Sequence, residues 1–116
     1  MTIEQFVIQY LSGAEVLAGI PVSGSIPHPM PTVFVTVEQT ASNRADLISS
    51  AEIVVESWAG SRAGAADLNE AVKGLMDALA AEPEISQSSL DTDYNYPDLE
   101  TNHPRYHAVY NIVYFL

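Results

Sequence analysis

The segment from Tyr106 to Tyr114 is the most regular pattern in the chain and constrains the fold more than any other feature. Its odd and even positions form two separate sets of side chains, a period of two that is typical of a β-strand. One set is Tyr106, Ala108, Tyr110, Ile112 and Tyr114, and the other is His107, Val109, Asn111 and Val113. The fold must therefore include a sheet that accommodates this strand.

Three further segments predict strands. Val33 to Val37 alternates in the same way, and Ala51 to Ala59 follows it after a polar stretch, Gln39 to Asp46. We expect these two strands to pair as a hairpin with a fairly long loop. Ile85 to Leu90 is a plausible partner for the closing strand, from which a polar, acidic loop, Asp91 to Pro104, separates it.

Two helices are expected. Thr2 and Gln5 form a capping-box pattern ahead of apolar residues at helical spacing, and this helix should end near Ser12-Gly13. A second apolar stripe begins at Leu68 and predicts a helix to about Glu82, where Pro83 stops it. Its polar face offers a possible ion pair between Glu70 and Lys73.

Between the first helix and the strand that begins at Val33, the pattern is weaker. Glu15 to Val22 predicts a weak strand, and Ser23 to Pro31 predicts an extended loop because its prolines forbid regular pairing. The order of helix, strands, helix, strands predicts an α+β domain, a mostly antiparallel sheet with both helices on one face. We expect residues 1–116 to form a single domain.

Charge and composition exclude several functions. The formal net charge is −11, with fifteen acidic residues against four basic ones. The basic residues are Arg44, Arg62, Lys73 and Arg105. Four scattered cations cannot build a phosphate-binding surface, so sequence-specific nucleic-acid binding is not expected. The chain has no cysteine, which excludes disulfides and thiolate chemistry. The apolar start is interrupted by Glu4 and predicts neither a signal peptide nor a membrane span.

No catalytic or metal-binding set emerges from the motifs. The loop from Asp91 begins like a calcium loop, but Tyr96 and Asn102 occupy the positions that require glycine and glutamate. His103 and His107 would lie too far apart on a strand to share a metal. Gly60 to Gly64 precedes a helix and is either an anion site or a simple flexible loop. We therefore predict no enzyme activity, cofactor or metal.

Several segments resemble the tail terminator proteins of siphophages, particularly phages of actinobacteria. These segments are Pro27-His28-Pro29-Met30-Pro31-Thr32-Val33-Phe34-Val35-Thr36-Val37, Asn43-Arg44-Ala45-Asp46, Val54-Val55-Glu56-Ser57-Trp58-Ala59, Ala66-Asp67-Leu68, Pro97-Asp98 and His103-Pro104-Arg105-Tyr106. Each is short and none is catalytic, so the resemblance depends on their order and spacing over about three-quarters of the chain. The stretch Glu38 to Ala41 departs from the family pattern, which has glycines and basic residues there.

The resemblance implies a structural protein of the virion, assembled in the host cytoplasm. Such a subunit forms a homo-oligomeric, hexameric ring on the tail tube protein, stops tube elongation and offers a surface to the head-closure protein of the neck. Genome DNA would pass through the lumen without sequence-specific binding, and an acidic wall would let it slide. We expect no membrane partner. Alternatives are another neck component, such as a head-closure or connector protein, and a small α+β ligand-binding domain.

Interface candidates follow from this interpretation. They are Pro27, Pro29, Pro31, Arg44, Trp58, Asp98, Arg105 and Tyr106. Trp58 and Arg105 belong to residue types that are common among binding hot spots, although a buried Trp58 in the core is an equal alternative. The tyrosine stripe that includes Tyr106 is either sheet core or interface. The proline loop is either a connection or an arm that docks on a neighbour.

Overall fold

The computed structural model describes residues 1–116 as one five-stranded sheet and two α-helices. The helices are α1 (Ile3–Ser12) and α2 (Arg62–Ala78). The strands are β1 (Val22–Ser23), β2 (Phe34–Ala45), β3 (Ile48–Trp58), β4 (Ile85–Asn95) and β5 (Arg105–Tyr114). Two short 3-10 turns, Glu15–Leu17 and Leu79–Ala81, follow the helices.

The strand order across the sheet is β1-β2-β3-β5-β4. Every pairing is antiparallel except that of the two-residue β1, which runs parallel to β2. The predicted α+β fold is confirmed. The predicted pairing of the segment from Ile85 with the closing strand is also confirmed, since β4 pairs with β5 along its whole length.

Both helices pack on one face of the sheet. The buried core is a single cluster that takes residues from α1, α2 and the inward positions of the strands. Its members are Ile3, Val7, Leu11, Leu17, Val35, Val37, Ala51, Ile53, Val55, Leu68, Val72, Met76, Leu79, Ile85, Ala108, Tyr110 and Ile112. The period of two in each strand thus sends one set of side chains to the helices and the other to the opposite face.

The start of α1 has the predicted cap. The Gln5 amide donates to the Thr2 hydroxyl at 3.1 Å, and the Thr2 amide donates to the Gln5 side chain at 2.8 Å. These reciprocal bonds satisfy two backbone donors that a helix N-terminus otherwise leaves open. Neither helix is long and apolar enough to cross a membrane.

The prediction of a long loop between β2 and β3 is wrong. The two strands run on to a two-residue turn, Asp46 and Leu47, whose φ angles are 52° and 68°. Two successive positive φ angles are typical of a type I′ turn, whose twist matches that of the flanking strands. Residues 39–45 are polar and still form a strand, because strand pairing uses the backbone and this part of the hairpin is exposed on both faces.

Three other boundaries differ from the prediction. The first five residues of the expected acidic loop are strand, since β4 continues to Asn95. Glu15 to Val22 forms a 3-10 turn and only the first residue of β1, instead of a weak strand. The second helix ends at Ala78, and the 3-10 turn Leu79–Ala81 completes the path towards Pro83.

Candidate interaction surface

The sheet face opposite the helices carries the most distinctive cluster of side chains. Strand register places Phe34, Trp58 and Arg105 in one row across β2, β3 and β5. The next row contains Thr36, Glu56 and His107. We call this side of the sheet the helix-free face. Two of its interface candidates from the sequence, Trp58 and Arg105, are therefore neighbours.

Trp58 lies at the base of this cluster and is 1% exposed. Its ring stacks on Phe34 with centroids 4.9 Å apart, and its Nε1 donates to the Thr36 hydroxyl at 3.2 Å. The His103 ring contacts both aromatic rings edge-on, and its Nε2 lies 2.9 Å from the Thr32 carbonyl oxygen. Of the two alternatives for Trp58, the buried one is therefore correct within this protomer. Its ring packs beneath the exposed side chains of this face.

Arg105 is held between two aromatic rings. The guanidinium carbon lies 4.8 Å from the Trp58 ring centroid and 4.6 Å from that of Tyr96. Its Nε donates to the Tyr96 carbonyl at 2.7 Å and lies 3.5 Å from a Glu56 oxygen. Stacking, a charge-assisted hydrogen bond and an ion pair together fix this side chain in one orientation.

Glu56 links this stack to the next row. The carboxylate oxygen that faces Arg105 also lies 2.8 Å from His107 Nδ1. The His107 ring in turn contacts Tyr94 and Tyr96, at centroid distances of 5.1 and 5.5 Å. The result is a rigid aromatic and charged layer along β5 and the end of β4.

A cleft of about 280 Å³ lies beside this layer. Its walls are residues 24–26 of the proline-rich loop and the side chains Thr36, Glu38, Val54, Glu56, Trp58 and Arg105. Glu56 and Arg105 already satisfy one another there. No group of three or more His, Asp or Glu side chains is arranged to hold a metal ion.

Asp98 and Tyr106 have local roles next to this cluster. Asp98 pairs with His103 across the loop after β4, and its carboxylate accepts from the Thr101 hydroxyl at 2.6 Å and the Glu100 amide at 3.3 Å. These hydrogen bonds, the Thr101 bond above all, lower the pKa of Asp98. Tyr106 lies on the other side of β5, paired with Ser57 and half-buried.

Arg44 and the prolines lie apart from the cluster. Arg44 is exposed near the tip of the β2–β3 hairpin, ten residues beyond Phe34, or about 34 Å along an extended strand. It forms no salt bridge. Pro27 and Pro31 are half-buried and Pro29 is exposed in the loop that leads to β2. The structure thus brings Trp58 and Arg105 together, and it places the other candidates around two ends of the sheet.

A polar cluster on the helix-side face was missed at the sequence level. Lys73 on α2 bonds Glu70 at 2.8 Å, as expected, and also Asp93 of β4 at 3.0 Å. Asn69 donates to the same Asp93 oxygen at 2.8 Å. Burial acts to raise the pKa of Asp93, but the hydrogen bonds from Lys73 and Asn69 outweigh it and lower the pKa. The Glu70 and Asp93 bonds raise the pKa of Lys73.

The two margins of the sheet differ in their cover. β4 pairs with β5 on one side and with no strand on the other. At the opposite margin, β1 pairs only with Val35 and Thr36 of β2. The Glu4 side chain accepts from the Gln39 amide at 2.8 Å. Beyond that point β2 has no outer partner.

No model of a known protein family matches this chain, and no curated protein shows significant similarity to it. The resemblance to tail terminators therefore rests on the short motifs, their order and their spacing.

Proposed function

We propose that this chain is a siphophage tail terminator, a structural subunit that forms a ring on the last ring of the tail tube. In this role it stops tube elongation and presents a surface to the head-closure protein. Two kinds of observation support this role. The order of motifs in the sequence resembles that of tail terminators, and the α+β fold has a broad helix-free face and two open sheet margins.

The observation that carries the proposal is the charge pattern of the helix-free face. Register places Glu38, Glu52 and Glu56 on it. The only basic side chain of the strands on this face is Arg105, which lies against Glu56, and His107 contacts the same carboxylate. A wall of this kind repels phosphate and offers DNA no free cation to bind.

We infer that this face lines the lumen of the ring. A duplex in transit requires a smooth wall without phosphate-binding sites, since each Lys or Arg contact to phosphate would slow its passage. The stacked layer around Arg105 supports this role because its side chains are locked by neighbours and cannot reach across a channel. The helices then lie on the outside, and the chain-terminal and loop ends of the sheet face the tube and the head.

A ring subunit also needs two different contact surfaces that join head to tail and close by rotation. The open margins at β2 and β4 are two such surfaces on one protomer. The largest cleft, at about 280 Å³, lies just below the usual range for small-molecule sites, and its central charges are already paired. This combination favours assembly over ligand binding.

Immunogold labelling of intact virions tests the proposed position. Antibodies against this chain should label the junction of head and tail, after gentle detachment of heads if the ring is enclosed. Antibodies against the tail tube protein serve as the control, with label along the whole tail. Label on the capsid shell or at the distal tail tip, or no label on virions, would contradict the proposal.

A further inference from the structure

The outer margins of the sheet offer stretches of free backbone to another chain. Edge strands of monomeric proteins are commonly protected by proline, lysine or a covering segment, because their free N–H and C=O groups invite pairing with another chain. β4 is eleven residues long and contains neither proline nor lysine. The free part of β2, from Thr40 to Ala45, also contains neither.

Each margin includes a stretch of four uncharged residues. On β4 the stretch from Ser86 to Ser89 is Ser-Gln-Ser-Ser, and on β2 the stretch from Thr40 to Asn43 is Thr-Ala-Ser-Asn. On β2 a bulge lies between Gln39 and Ala41. On β4 one bulge lies between Ile85 and Gln87 and another between Leu90 and Thr92. The five residues that follow the β2 bulge, and the four from Gln87 to Leu90, remain regular strand.

The directions of the strands decide how two copies can meet. Three successive antiparallel pairings separate β2 from β4, so these two outer strands run in opposite directions. A second copy placed beside the first in the same orientation therefore presents its β2 antiparallel to the first copy's β4. Antiparallel pairing is the more stable kind, and repetition in one orientation is what a closed ring requires.

Charge distinguishes this arrangement from a two-fold pairing of β4 with itself. β4 contains Asp91 and Asp93 and no basic residue. Self-pairing would bring these acidic strands together, and like charges across a strand pair are destabilising. The free part of β2 contains Arg44, which is exposed and forms no salt bridge within the protomer. Pairing β4 with β2 thus gives Arg44 an acidic neighbour.

We propose that the chain assembles by antiparallel pairing of β4 in one copy with the Ala41–Ala45 part of β2 in the next. The sheets then continue from copy to copy around the ring, and each helix-free face joins the next. The inference rests on the ring assembly in the proposed function and identifies the surfaces that form it.

Cysteine cross-linking tests this pairing cleanly because the chain contains no cysteine. Asn43→Cys is combined in turn with Cys at Gln87, Ser89, Thr92 and Tyr94, which all lie on the same face of the sheet as Asn43. A disulfide needs Cβ atoms within about 4.5 Å, so only partners close in register will react. The matched series uses Ala41→Cys with the same four positions.

The samples are concentrated recombinant protein and virions that carry the double variants. We expect one partner of Asn43→Cys to give a ladder of cross-linked species beyond the dimer on non-reducing gels. The best partner of Ala41→Cys should lie further along β4, because the strands are antiparallel. Each single variant should stay monomeric on the same gels.

Three outcomes would overturn the edge pairing. They are a single β4 variant that cross-links to itself as a dimer, a partner order for Ala41→Cys that runs backwards along β4, and no cross-linked product in either sample. Failure of the proposed function is a separate result. Cross-linked ladders from recombinant protein, together with virions that lack the chain, would retain the pairing and reject the tail role.

Discussion

Arg105 gives the sharpest test of how the helix-free face is built. We predict that Arg105→Lys, which keeps the positive charge, destabilises the protein by about 2 kcal/mol. The variant removes the planar guanidinium between Trp58 and Tyr96, where the ring centroids lie 4.8 and 4.6 Å away. It also removes the Nε donor of the 2.7 Å bond to the Tyr96 carbonyl.

The magnitude follows from these contacts. A hydrogen bond from a charged donor contributes about 1.5–3 kcal/mol, and each stacked cation contributes about 0.5–1 kcal/mol at partly exposed sites. The Arg105 side chain is 15% exposed, so solvent screens it little. A lysine ammonium retains part of the attraction to Glu56 and the rings, and about 2 kcal/mol remains lost. For a chain of this size that lowers Tm by about 8 °C.

Urea unfolding followed by tryptophan fluorescence measures this directly, because Trp58 is the only tryptophan and lies in the contact. Arg62→Lys is the matched control, since Arg62 is exposed, forms no salt bridge and should change stability by less than about 0.5 kcal/mol. Equal stability of the Arg105→Lys and Arg62→Lys proteins would refute the argument that the stacked guanidinium holds this face together.

Other predictions address the turn, the cap, the partly buried Lys73–Asp93 ion pair and the lumen. Leu47→Gly should stabilise the protein by about 1 kcal/mol in thermal unfolding, because Leu47 is 82% exposed and has a φ of 68° that glycine adopts freely. Thr2→Ala should cost about 1 kcal/mol in urea unfolding, through loss of the capping box. Asp93→Asn should cost about 1 kcal/mol at pH 7, and the difference from wild type should shrink as the pH falls. The folded-state pKa of Asp93 is lowered, so its stabilisation is present above its ordinary pKa of 3.8 and lost below the folded value. Glu52→Lys should leave virion assembly intact and slow DNA release in an ejection assay, whereas unchanged release would argue against a lumen position.

The sequence predicted the fold class because strong periodicity marks β5, β3 and the helices, and Pro83 marks the end of the second helix. The pairing of β4 with β5 followed only from a short apolar-flanked segment that was available as a partner for the closing strand. The sequence did not predict the length of the β2–β3 hairpin. Residues such as Asn43 and Arg44 are polar on both sides and carry no period of two, so only backbone pairing reveals the strand. The turn at Leu47 also lacks the glycine that usually marks a two-residue hairpin.

The candidate surface was predicted only in part. Trp58 and Arg105 stand out by residue type, but their meeting depends on the register between β3 and β5, which sequence patterns do not determine. Tyr96 and Glu56 complete the arrangement and were missed for the same reason. The Asp93 contact with α2 was missed because β4 was expected to end at Leu90. A prediction that extended β4 to Asn95 would have placed Asp93 in the sheet.

The most direct test of the tail terminator role is negative-stain microscopy of lysates from a phage that lacks this gene. We predict overlong tails of variable length beside heads without attached tails, and plasmid-borne wild-type protein should restore normal virions. Tails of normal length beside leaking or tailless heads would contradict this prediction and assign the chain to the head side of the neck.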